Sequence, residues 1–315
     1  MANMTTVPIV DITGYGLDVV NEDKVDTETV RYMADDICRA MRDIGFCYIK
    51  NHGIPQSKID QMNTVAMEFF DKPVEYKNAY QRRHITGIHG WAPRDMETLN
   101  PDRPSDFKEA FNFTPMDADG RFPDVQDFEV TMTDFLLICH KMTLRILDLM
   151  SIGLHLEDRQ FLRKCHKAIG QKNSTTTLRV NFYPALPSDE DMKPNQVRCG
   201  EHSDYGSLTL LFQDDVGGLE VRNVEGEYIP APPIPGTVLI NLGDMMQRWT
   251  ADELLATKHR VLIPDDEMTR RKSRQSIAFF AVPDNDVMIE CLDKSDKYEP
   301  ISSLQFIQER IAPTY

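Results

Sequence analysis

Residues 200–212, Gly200-Glu201-His202-Ser203-Asp204-Tyr205-Gly206 and then Ser207-Leu208-Thr209-Leu210-Leu211-Phe212, set a histidine and an aspartate two positions apart, just ahead of an apolar run of strand formers. Similar short runs recur on either side: LRVNFY from 178, GLEVRN from 218, EYIPA from 227, TVLINL from 237, HRVLI from 259 and SIAFFAV from 276. Gly, Pro, Asn and Asp separate them at the intervals of an all-β sandwich or barrel. Residues 185–195 and 264–273 are polar interruptions.

Upstream of this region the pattern changes period. After Asp26, a plausible N-cap, Val30, Met33, Ala34, Ile37, Cys38 and Met41 recur at helical spacing. Residues 45–55, GFCYIKNHGIP, read as a strand closed by a turn. Ile59, Met62, Val65, Ala66, Phe69 and Phe70 mark a second helix, and residues 127–151 a long third one. Between them, residues 80–125 carry five prolines and read as an irregular layer. A short helix is expected over 303–311. The helical stripes need a partner surface, and the strand-rich half supplies one. The expectation is an α+β fold in one domain, 1–315: a mainly helical part at 1–176, a β-barrel or jelly-roll core at 177–285 and a C-terminal segment at 286–315.

The chain has 315 residues and a net charge of 35 − 50 = −15. That charge argues against nucleic acid or an anionic membrane surface as a partner, since both recruit cationic proteins. No stretch of about 18 apolar residues runs without a charge, and residues 1–16 lack the pattern of a secretory signal. Six scattered cysteines with no CxxC pair read as reduced, buried thiols of a cytoplasmic protein. A monomer or weak oligomer is expected.

In a strand, residues two apart share a face, so His202 and Asp204 can reach one point. Alone the pair is weak, because Asp beside Gly at a strand end is ordinary turn chemistry. His259 opens another expected strand, 259 − 204 = 55 residues on. Two imidazoles and one carboxylate leave three coordination positions open, the set used by non-haem Fe(II) sites. Zinc is the rival, although no HExxH spacing is present. Arg274 and Ser276 share one face of the strand that follows. Strands 259–263 and 276–282 are expected to pair as a hairpin, bringing Arg274 near His259. An inward guanidinium needs an anion, and its planar fork suits a carboxylate. Asn181 and Tyr183 share a face in the same way.

Further segments add to these: Val7-Pro8-Ile9-Val10-Asp11, Gly45-Phe46 through Asn51-His52-Gly53-Ile54, Asp106-Phe107-Lys108-Glu109-Ala110-Phe111, Asn181-Phe182-Tyr183-Pro184, Gly217-Gly218-Leu219 and Asn241-Leu242-Gly243-Asp244. In this order, with His202-Ser203-Asp204, His259-Arg260-Val261 and Arg274-Gln275-Ser276, the chain resembles the isopenicillin N synthase-like branch of the Fe(II)/2-oxoglutarate-dependent oxygenases over nearly its whole length. The resemblance implies a double-stranded β-helix in which His202, Asp204 and His259 carry Fe(II). It implies that Arg274 and Ser276 bind the distal carboxylate of 2-oxoglutarate, helped by Tyr183 and Asn181, and that His52 is structural. Dioxygen would be the oxidant and ascorbate a candidate reductant. Succinate and carbon dioxide would form as a C–H bond is hydroxylated, desaturated or closed into a ring. Isopenicillin N synthase keeps the Arg-x-Ser pattern without using 2-oxoglutarate, so an oxidase independent of it is the alternative. A non-catalytic ligand-binding barrel is the other.

Parity also nominates substrate contacts. Arg179 shares a face with Asn181 and Tyr183, and either binds a carboxylate of a small acidic substrate or pairs with a protein Asp or Glu. Arg82, Arg83 and His84 form a basic knot and Arg94 follows Trp91-Ala92-Pro93; each is more often a solvated charge than a ligand contact. The resemblance places Arg248 and Trp249, which follow Asn241-Leu242-Gly243-Asp244, near the cavity mouth; Phe280, on the parity of Arg274 and Ser276, is expected on the pocket floor or, equally, in the core.

Overall fold

The computed structural model describes residues 5–21, 25, 27–82, 89–100, 102–114, 121–171, 174–186, 193–264 and 266–311. In chain order the elements begin β1 (Ile9–Asp11), α1 (Thr27–Asp43), β2 (Phe46–Lys50), α2 (Gln56–Phe70), α3 (Val74–Asn78), β3 (Gly90–Ala92) and β4 (Glu109–Phe113). Then come α4 (Phe128–Gly153), α5 (Phe161–Lys164), β5 (Thr177–Tyr183), β6 (Cys199–His202), β7 (Leu208–Gln213), β8 (Leu219–Arg222) and β9 (Tyr228–Pro230). The chain continues with β10 (Thr237–Leu242), α6 (Asp244–Trp249), β11 (His259–Val261), α7 (Glu267–Arg270), β12 (Arg274–Ala281), β13 (Met288–Ile289), β14 (Ile301–Ser302) and α8 (Ser303–Ile311).

Two sheets face each other. The larger has the order β1-β2-β10-β7-β12-β5-β4-β3 and the smaller β6-β11-β8-β9. Strict alternation decides what each face of the larger sheet meets. Leu178, Val180, Leu210, Phe212, Val238, Ile240, Ile277 and Phe279 turn outward into the apolar cluster shared with α1, α2 and α4. Phe135 of α4, for example, meets Phe212 edge-on at 5.1 Å. The opposite parity sends Phe46, Tyr48, Tyr183 and Leu239 inward, against Cys199, Leu219, Val221 and Val261 of the smaller sheet. The result is a double-stranded β-helix wrapped on one side by helices, an α+β architecture.

Three details differ from the sequence reading. Residues 259–263 and 276–282 do not form a hairpin: β11 pairs with β6 and β8, whereas β12 pairs with β5 and β7 in the other sheet. Their shared polarity reflects two walls facing one cavity. The stretch 80–125 is not wholly irregular, because β3 and β4 add two antiparallel strands beside β5; its prolines hid runs too short to show periodicity. Finally, β6 ends at His202, so strand parity is not what brings Asp204 to the same point. Asp26, the expected N-cap, lies outside the described residues, while the C-terminal helix spans 303–311 as read.

Among the described residues no helix is long and apolar enough to cross a membrane. Behind the loop leading into β7, His166 is fully buried, with Nδ1 2.7 Å from Leu162 O and Nε2 2.7 Å from Ser207 Oγ. Burial lowers its pKa from 6.5 to about 4. The unfolded chain therefore takes up this proton first as pH falls, and His166 stabilises the fold above pH 6.5 but loses that contribution towards pH 4. Urea titrations of the metal-free protein should show stability declining across that window, with a shallower decline for His166→Gln.

Candidate metal centre

His202 closes β6 and His259 opens β11, and the two are register partners across adjacent antiparallel strands. Their rings lie 4.3 Å apart, tilted by 51°. Each Nε2 is 3.8 Å from Asp204 Oδ1, and one ligand atom from each residue falls within 4.8 Å of the others.

The tautomers follow from the neighbours. His202 Nδ1 lies 2.8 Å from Gly200 O and His259 Nδ1 3.1 Å from Thr257 O. Each Nδ1–H donates to a carbonyl, which leaves both Nε2 lone pairs facing the carboxylate. Burial, then the adjacent His202, lowers the pKa of His259 to about 4, so its ring is neutral at physiological pH. The edge of Phe46 packs on that ring at 5.3 Å.

Asp204 reaches the same point from a loop. Its Oδ2 accepts from Thr209 Oγ1 and Asn241 Nδ2, both at 2.6 Å, and Oδ1 is left for the histidines. Burial would raise its pKa, but the two imidazoles when protonated, and these two hydrogen bonds at any pH, act the other way and the net shift is downward, towards the ionised carboxylate. The loop is clamped by Asp244 N donating to Asp204 O at 2.7 Å. That crossing needs glycine, since a Cβ on Gly243 would stand 2.4 Å from Gly206 O. Two imidazoles and one carboxylate, with no other His, Cys, Asp or Glu joining them among the described residues, suit a ferrous ion and leave positions for exchangeable ligands.

Arg274, Ser276, Tyr183 and Asn181 come together on the facing sheet, where Arg274 pairs with Tyr183 and Ser276 with Asn181 across β12 and β5. The Arg274 guanidinium is buried over the Tyr183 ring at 4.9 Å. It donates to Gly217 O at 2.8 Å, Gln213 Oε1 at 3.1 Å and Ser276 Oγ at 3.4 Å, all neutral acceptors. Among the described residues it has no carboxylate partner, so its charge is available to an anion.

The substrate candidates divide. Phe280 is half-buried on the face of Arg274 and Ser276 and lies opposite Thr209, the residue that holds Asp204. Arg179 carries the internal pairing: its Nη1 donates to Glu97 Oε1 at 3.0 Å, its Nη2 pairs with Glu97 Oε2, and its Nε donates to Asn181 Oδ1 at 2.8 Å. Arg82 is not a solvated charge either, being buried 3.5 Å from the same Glu97. Arg94 is exposed above Phe107. Arg83 and His84 lie outside the described residues. Arg248 and Trp249 are engaged by other partners. Arg248 stacks on Tyr298 at 4.7 Å and donates to Glu299 O, and Trp249 is buried against Phe161 and His166 in the helix-side cluster. Thr209 and Asn241 were missed as supports of Asp204, although their inward parity within SLTLLF and TVLINL was readable.

Comparison with known proteins gives a consistent answer. The profile of the 2OG-Fe(II) oxygenase superfamily matches residues 174–283, and that of the N-terminal region of a non-haem dioxygenase in morphine synthesis matches residues 7–129. A proline hydroxylase, buaE of Petromyces alliaceus, is 33% identical over 300 residues, covering 88% of this chain and 91% of that protein. The homoarginine-6-hydroxylase 2-ODD-C23.1 of Arabidopsis thaliana is 28% identical, covering 91% of this chain and 88% of its own. A full-length Neurospora crassa protein, solved in complex with alpha-KG and thymine, superposes with a TM-score of 0.86 at 28% identity, covering 100% of this chain and 99% of that one.

Replacing Asn241 with Leu should remove one of two bonds to Asp204 Oδ2 and weaken metal binding by about 10- to 100-fold. Anaerobic Fe(II) titration, with circular dichroism to confirm folding, measures it.

Proposed function

The chain belongs to the 2-oxoglutarate- and Fe(II)-dependent oxygenases, and we propose that His202, Asp204 and His259 hold its ferrous ion while Arg274 and Ser276, with Tyr183 and Asn181, hold 2-oxoglutarate by its distal carboxylate. The protein is a dioxygenase of this kind and oxidises a C–H bond of a substrate. The observation that carries the site assignment is the convergence of two Nε2 atoms and Asp204 Oδ1, with every other polar atom of the three side chains already committed. When bound, iron and 2-oxoglutarate supply the oxidising power, with dioxygen consumed and succinate and carbon dioxide released.

The chain's own part is orientation and exclusion. Gly200 O and Thr257 O fix the imidazole tautomers, while Thr209 and Asn241 fix which carboxylate oxygen faces them. Phe46, Val221, Leu239 and Val261 make the surrounding wall apolar. The Arg274 guanidinium offers a planar donor fork to a carboxylate, which favours a dicarboxylic co-substrate over a simple 2-oxo acid.

The substrate is taken to be a small molecule, as the names of the proline and homoarginine hydroxylases and the thymine complex of the Neurospora crassa protein suggest. An acidic group on it is not required by Arg179, because Glu97 answers that charge. Phe280 is assigned to the substrate side of the iron, supported by its partial exposure beside Thr209. A cytoplasmic setting is supported by six cysteines that are all free thiols.

Mass-spectrometric screening of amino acids and nucleobases with Fe(II), ascorbate and 2-oxoglutarate should find a substrate whose oxidation releases succinate in step with oxygen uptake. Turnover undiminished after complete removal of 2-oxoglutarate would defeat the co-substrate assignment. Phe280→Ala should raise the KM for that substrate about tenfold or more, the loss of one buried aromatic contact, and leave the affinity for 2-oxoglutarate unchanged.

A further inference from the structure

Arg198, the residue before β6, is a second buried cation whose charge is felt by Arg274, and it is 0% exposed. Its Nη2 donates to Lys272 O at 3.1 Å, two residues ahead of Arg274. Among the described residues its Nε and Nη1 meet no acceptor. No carboxylate lies within ion-pair distance of it among the described residues. The carboxylate that bears on both guanidiniums, Asp214, is committed to the backbone N–H groups of Gln275 and Val216. Burial, and then the positive charge of Arg274, lowers the pKa of Arg198 to about 10.

Two buried like charges with mainly neutral partners are costly unless an anion completes the set. N–H groups left without acceptors on a buried guanidinium mark where such an anion is missing. We propose that Arg198 is a second anion-binding residue of the 2-oxoglutarate pocket and shares with Arg274 the carboxylate remote from the iron. This rests on the co-substrate assignment above and extends it: the pocket selects a dicarboxylate with two guanidiniums. The competing role is purely structural, a tie from the start of β6 to the start of β12 through Lys272 O.

Equilibrium binding separates the two. Anaerobic Fe(II)-loaded protein is titrated with 2-oxoglutarate, and separately with 2-oxobutyrate, which keeps the chelating 2-oxo acid and lacks the second carboxylate. Binding is followed by the charge-transfer absorption of the chelate. Arg198→Gln should raise the Kd for 2-oxoglutarate about tenfold or more, as expected for a lost charge-assisted hydrogen bond, and leave that for 2-oxobutyrate within about twofold. Arg198→Lys, which keeps the charge, should fall between wild type and Gln, and gives the same discrimination if the Gln variant folds poorly. An unchanged 2-oxoglutarate Kd, or equal weakening of both ligands, overturns the proposal in favour of the structural tie. Arg274→Gln serves as the reference: wild-type protein that forms no chelate with 2-oxoglutarate removes the co-substrate assignment itself. A chelate lost in Arg274→Gln but intact in Arg198→Gln removes only the role of Arg198.

Discussion

The carboxylate of Asp204 divides its two oxygens between the cavity and the scaffold, and the site depends on that division. Oδ1 faces two imidazoles of the smaller sheet, while Oδ2 is held by Thr209 and Asn241 on neighbouring strands of the larger one. One side chain thereby stitches the two walls together at the point where ligands must converge. A buried carboxylate costs free energy unless paired and hydrogen-bonded. Here every lone pair on Oδ2 is used inside the protein, and what remains on Oδ1 is the part that chemistry needs.

Much of this was legible in the residues. Alternation in LRVNFY, SLTLLF, TVLINL and SIAFFAV separates the helix-facing from the cavity-facing side chains, and the structure follows that parity. Ordered motifs identified the family. What failed were inferences about neighbourhood. Adjacent strands in sequence, 259–263 and 276–282, proved to belong to different sheets, because a sandwich joins its walls by loops that look like hairpin turns from within. Arg248 and Trp249 meet Tyr298, Glu299 O, Phe161 and His166, partners that no local pattern near Asp244 encodes. The partner of Arg179, Glu97, lies 82 residues away and has no periodic signal.

The edge of the larger sheet near β4 is unusually charged for a buried region. Glu97 gathers Arg82, Lys108 and Arg179, and Lys77 meets Glu109 beneath Trp91. Buried ion pairs of this kind contribute little net stability, since desolvation offsets their attraction. Their effect is to fix geometry. Arg179 spans Glu97 and Asn181 and so decides which end of the Asn181 amide is free. Apolar residues in place of Glu97 and Arg179 would leave that amide free to rotate.

Phe280 and Thr209 face each other across one rung of the ladder between β12 and β7, Phe280 half-buried and Thr209 gripping Asp204. With Phe280 on the substrate side, as proposed, selectivity and metal retention would be mechanically linked on this strand pair. An enzyme engineer who enlarges the pocket at Phe280 also unloads the strand that steadies Thr209, whereas loops farther out can be recast without touching the iron. In natural divergence the same linkage steers innovation to the periphery, and relatives with different appetites should differ first in the loops rather than on β7 and β12.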